Sequence, residues 1–153
     1  SSAASDVYKR QRQVYLVYGP PLAGKRTYVD KAMNKGDLIV DIDSIWECVS
    51  GLSRYEKPPR LKAVVFAMHK ALVESVRYRQ GKWSNAYIIG GYPLQGERER
   101  LAKELGAREI LVRATKEECL NRLEVSEDAR NKTDWTRFIE EWFERYAPPL
   151  DEN

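Results

Sequence analysis

The stretch that most limits what this chain can fold into is LVYGPPLAGKRTYVDKA, Leu16 to Ala32. A short β-rich run enters a loop bounded by glycines, and a helix-forming segment leaves it. Gly19, Pro20, Pro21, Leu22, Ala23, Gly24 and Lys25 fit the spacing GxxxxGK. Glycines let the backbone turn its amides inward. Those amides and the following helix N-terminus offer partial positive charge to phosphate oxygens. Lys25 reaches the outer phosphates as a point charge. The spacing predicts a strand, a nucleotide-binding loop from Gly19 to Thr27, and a helix. An ordinary strand-to-helix turn that happens to carry a lysine is the plainer alternative.

Arg26 breaks the pattern. A Ser or Thr belongs there, because its hydroxyl joins a magnesium ion. Thr27 follows one position late. This departure moves the expected metal anchor onto a carboxylate elsewhere.

LIVDID, Leu38 to Asp43, is the expected second strand. Alternation along a strand places Asp41 and Asp43 on one side of its end. Ligands of open parallel sheets collect beyond the carboxyl ends of the strands, where the loop after the first strand also lies. Two carboxylates there divide two tasks. Asp41 is the expected magnesium anchor, and Asp43 the group that orients or deprotonates an acceptor hydroxyl. Asp43 as a simple cap on a helix beginning at Ser44 is the competing reading.

The remaining chain alternates in the same way. Pro58 and Pro59 open a helix expected from Arg60 to Gln80, with Leu61, Val64, Val65, Met68, Leu72 and Val76 on one stripe. Phe66, Ala67 and Ala71 widen it, which predicts a well-buried helix. AYIIGG is a third strand, GERERLAKELG a charged helix stopped by Gly106, and REILVRA a fourth strand. Thr115 and Glu118 form a capping box. A last helix aligns Trp135, Phe138, Ile139, Trp142, Phe143 and Tyr146 on one face, read as core rather than as a platform for stacking bases. Strands alternating with helices predict an α/β fold of three layers, with a four- to five-stranded parallel sheet.

Composition excludes several classes. With 42% hydrophobic and 32% charged residues the chain is globular rather than disordered. No apolar run approaches the ~20 residues of a membrane span, so no membrane partner is expected. Cys48 and Cys119 stand far apart, compatible with a reducing cytoplasm and not with a zinc site. His69, the only histidine, falls in a helix pattern, which argues against a Ser-His-Asp hydrolase.

The first eleven residues, SSAASDVYKRQ, match the translation of a transposase adapter used in sequencing libraries. They are expected to lie outside the fold, leaving one domain over residues 12–147 and a short tail over 148–153. Without them the formal charge falls from +3 to +2, too little to imply a nucleic-acid partner by itself. Arg54, Lys57, Arg60 and Lys62 form one basic cluster, and Arg77, Arg79 and Lys82 another. They lie roughly 30 Å apart along a straight helix and make no single patch. A solvated surface is the plainer account of both.

Several segments resemble the small P-loop kinases. GKRT is similar to the GKGT of adenylate kinases, which also lack the hydroxyl. VDIDSIWE resembles the DSDxxIE segment of shikimate kinases, whose first aspartate serves the metal and second the substrate. It also resembles the corresponding segment of phage-type polynucleotide kinases, where an aspartate at Asp43's place is the base for a 5′-hydroxyl. IIGGYPLQ is similar to the DGFPRT of nucleoside monophosphate kinases, but Gly90 stands for the aspartate and Leu94 for the arginine. The order of segments over nearly all of residues 13 to 147 resembles that of phage-borne ATP-binding proteins of this group, often labelled AAA-type ATPases.

The resemblance implies a kinase-like topology, ATP and Mg²⁺ as cofactors, and arginines placed over the phosphates from a lid after the fourth strand. Arg122 and Arg130 match that lid role. The implied activity is transfer of the γ-phosphate to a hydroxyl on a small molecule or a nucleic-acid 5′ end. A nucleotide-binding module with weak or no hydrolysis is the alternative.

Overall fold

The computed structural model describes residues 12–149. The adapter-like residues 1–11 and most of the C-terminal tail therefore lie outside the described residues.

Strand β1, Gln13–Tyr18, sits inside the sheet, with β3 (Asn85–Gly90) on one side and β4 (Ala107–Leu111) on the other. Strand β2, Leu38–Asp41, pairs with the far side of β3. All pairings are parallel, and the order is β2-β3-β1-β4. The described sheet thus has four strands, within the expected range.

Covering on both faces explains why β1 and β3 read as nearly continuous apolar runs. Val14 and Leu16 join Ala86 and Ile88 on one face. They pack against Val76 of α3 (Lys62–Arg77) and against Ala102 and Leu105 of α4 (Gln95–Leu105). Val17, Tyr87 and Ile89 face the other way, onto Val29 of α1 (Lys25–Ala32). The result is three layers.

Three expectations need correction. Strand β2 ends at Asp41, and helix α2 runs over Ile42–Ser50. The Asp41 carboxylate accepts from the Asp43 amide at 3.1 Å and caps α2. Asp41 and Asp43 therefore occupy a strand end and a first helical turn, not one strand face. Secondly, a 3₁₀ turn over Pro59–Leu61 precedes α3, which ends at Arg77. Its widened stripe is not buried: Val64 and Phe66 are both 49% exposed, and Ala67 and Ala71 are exposed too. One side of α3 suffices to meet α2 through Val65 and the sheet through Val76.

Thirdly, the last helix α6, Lys132–Arg145, is only partly core. Ile139 is buried against Cys119 and Leu123 of α5 (Lys116–Val125). Trp142 is buried too, but Phe138 is exposed, and Trp135 borders a cavity described below. The capping box of Thr115 and Glu118 begins α5 as expected. His69 is half-buried on α3, and its burial holds the imidazole below its ordinary pKa. Among the described residues no helix is long and apolar enough to cross a membrane.

Candidate active site

The connections leaving β1 and β3 run to opposite sides of the sheet, so the crevice beyond these neighbouring strands is a topological switch point. A cavity of about 360 Å³ opens there. The loop residues Pro21 to Thr27, the pair Asp41 and Asp43, and Ile89 to Gly91 of the β3 end line it. The rule that sites gather beyond the carboxyl ends of parallel strands places the loop and the acidic pair at one edge, and both line this cavity.

The loop turns through three residues of positive φ, Gly19, Leu22 (φ 61°) and Gly24. Gly19 has φ +155°, and a Cβ there would lie 2.5 Å from the Val112 carbonyl oxygen beside it. Gly24 adopts a left-handed conformation as N-cap of α1. The first turn of α1 has neither a side-chain cap nor an acidic residue, so its amides are open to an anion. Pro20 and Pro21 stiffen the turn between them. Lys25 folds back over the loop and donates to the Gly19 and Pro20 carbonyls at 2.7 and 2.8 Å. Burial lowers its pKa to about 8, although Asp43 and Asp41 oppose the shift.

Arg26 points at Asp41. Its Nη1 donates to Asp41 Oδ2 at 2.9 Å and to Ser44 Oγ at 3.0 Å, and its Nε to Asp30 at 2.9 Å. Arg54 reaches the same Asp41 oxygen at 2.5 Å. Burial pushes the Asp41 carboxyl up, but Arg54 and then Arg26 outweigh it and hold the group below its ordinary value. Asp43 is more open and pairs with Lys57 at 2.9 Å. Arg54 and Lys57, read from sequence as surface charges, thus belong to the site.

These residues do not fit a magnesium anchor. Magnesium asks for open oxygen ligands in a near-octahedral set. Both Asp41 oxygens are already taken by two guanidiniums, a hydroxyl and an amide. A carboxylate at Gly90 would require the Tyr92 ring to move, because a Cβ there would sit 2.3 Å from it. The sequence expectation of Asp41 as the metal ligand is not matched by this geometry.

The two lid candidates reach the cavity differently. Arg122 donates to the Leu22 carbonyl at 2.8 Å, bringing α5 onto the loop. Arg130 pairs with Asp128 and lies over the Tyr55 ring at 3.7 Å and the Trp135 ring at 4.8 Å. Tyr55 and Trp135 meet edge to face at 5.6 Å. Both border the cavity. Sequence reasoning missed them as site residues, since Tyr55 lay in a featureless loop and Trp135 in a core-like stripe.

No protein-family model matches the chain, and no curated protein does. Solved structures with a similar fold do exist. One is a chain in the structure of the Pnkp1/Rnl/Hen1 RNA repair complex, with a TM-score of 0.58 at 12% identity. The alignment covers 89% of this chain and 46% of that one. The chain thus spans about half the length of this structural neighbour. At that identity the match shows the fold alone, a four-stranded parallel α/β sheet with helices on both faces.

Proposed function

We propose that this chain binds ATP and transfers its γ-phosphate to a hydroxyl acceptor. The loop from Gly19 to Thr27 holds the polyphosphate through backbone amides, with Lys25 released from its carbonyls onto the outer phosphates. The acceptor oxygen attacks the γ-phosphorus, the bond to the β–γ bridging oxygen breaks, and ADP leaves. Asp43, the more accessible carboxylate of the cavity, takes the acceptor's proton. Arg122 and Arg130 supply charge over the transferring group. Catalysis of this kind is mostly placement and electrostatics.

The observation that carries this reading is the shared cavity, which brings the phosphate loop, one approachable carboxylate and several cations together. A nucleic-acid 5′ end is the acceptor favoured here. Tyr55 and Trp135 offer aromatic surface for a base, and Lys57 offers charge for a neighbouring phosphate. The RNA repair complex that contains a neighbour of this fold supports that choice.

Transfer of labelled γ-phosphate to 5′-hydroxyl oligonucleotides, nucleosides and small alcohols tests the proposal. Labelled oligonucleotide that disappears with Asp43→Ala, while nucleotide affinity stays within about threefold, is the expected result. The engaged state of Asp41 and the closed space at Gly90 favour one alternative, a nucleotide-binding module without transfer. Nucleotide binding with no labelled acceptor in any arm would decide for it.

A further inference from the structure

The cavity wall is electrostatically unlike a metal-anchoring site. Lys25, Arg26, Arg54, Arg122 and Arg130 line it against only Asp41 and Asp43. Five cations facing two carboxylates repel a divalent ion and attract a polyanion. Arg26 stands directly after Lys25, where a magnesium-binding hydroxyl belongs. It is not a loose surface charge. Asp30 holds its Nε, while Asp41 and Ser44 hold its Nη1. The Arg54 guanidinium is fixed by the same Asp41 and Ser44. Asp41 is 5% exposed, so it braces the two arginines from below instead of offering an oxygen outward.

We propose that Arg26 and Arg54, braced by Asp41 and Ser44, replace magnesium as the counter-charge to the donor nucleotide's phosphates, so that the site grips free ATP without a divalent ion. The proposal rests on the reading that the loop holds a nucleotide. A guanidinium offers paired N–H groups to phosphate oxygens, and these have the same charge-neutralising effect as a metal. The design has a consequence that a metal-anchored loop does not share. Magnesium bound to ATP cancels part of the charge the arginines are built to meet, so it competes with them for the phosphates instead of helping.

Calorimetric titration of ATP into the full chain at constant ionic strength, once with EDTA and once with excess Mg²⁺, tests this. The expected result is binding in EDTA at least as tight as in Mg²⁺. Arg26→Ser is expected to lose about tenfold or more in EDTA and less in Mg²⁺, because a hydroxyl there can join the ion. Binding more than about threefold tighter in Mg²⁺ than in EDTA for the wild-type chain would overturn the proposal and leave the nucleotide site standing. Absence of binding in both buffers would remove the nucleotide reading itself, and this inference with it. The wild-type comparison needs no variant to fold. Arg26 is 38% exposed in its side chain, and matched thermal melts establish that the serine variant keeps its structure.

Discussion

Lys25 stores an unusual proton affinity. Burial pushes its pKa down to about 8 in the unliganded chain, and a polyphosphate placed on it would push it back up. A group whose pKa rises on binding takes up a proton, and affinity falls as pH climbs through its unliganded value. The Lys25 contribution to ATP affinity is therefore expected to be flat below about pH 7, where only the terminal phosphate of ATP itself titrates. It should then fall as pH rises past about 8, by at most about tenfold per pH unit. Titrations in buffers of different ionisation enthalpy should register proton uptake near pH 8. A Lys25→Arg chain, charged throughout, should lose that slope. Gly19 carries a second residue-scale prediction. Gly19→Ala drives a methyl into the Val112 carbonyl, and a fixed backbone oxygen cannot yield as a side chain does. A loss of about 1–3 kcal/mol in urea unfolding is expected.

Element by element, one buried arginine fastens the site's rear wall. Arg98 of α4 is fully buried and pairs with Glu109 of β4 at 2.9 Å. It also donates to the Tyr92 and Pro93 carbonyls after β3, and to the Ala147 carbonyl at 2.8 Å beyond α6. One side chain thus ties the glycine-rich β3 end to the end of the last helix. Arg98→Ala is expected to cost about 3 kcal/mol or more in chemical unfolding. Little of this was legible in GERERLAKELG, which reads as a solvated charged helix, because nothing local distinguishes Arg98 from Arg100. By contrast, GPPLAGK was legible, since its glycines and lysine are fixed by local geometry. So was the capping box of Thr115 and Glu118. The end of β2 was misjudged by two residues because Asp41, not Asp43, caps α2, and capping fits either aspartate in sequence. The aromatic surface of Tyr55 and Trp135 is formed across about eighty residues of chain, a pairing that only tertiary structure supplies.

For the molecule as a whole, strand order decides where chemistry can occur. The order β2-β3-β1-β4 brings the loop after β1 and the turn after β3 side by side at one rim. Helix α2 carries Asp43 to the same rim, and α5 and α6 close over it with Arg122 and Trp135. On the proposed function an acceptor would meet α2, the following loop and α6 rather than the strands, as sites carried on loops and helix ends of a rigid sheet do. Tyr55→Ala and Trp135→Ala are accordingly expected to weaken an oligonucleotide acceptor by about 1–3 kcal/mol per lost stack, read as a raised KM. ATP affinity should stay within about threefold, measured on the same protein. Every role proposed at this rim depends on the loop around Gly19 to Thr27 gripping a nucleotide polyphosphate. The most direct test of that grip is a calorimetric titration of ATP into the full chain and into Lys25→Met at neutral pH. Saturable one-to-one binding that weakens by about tenfold or more without the ammonium group is expected. Equal affinity in the two chains, or no heat of binding in the wild type, would contradict it.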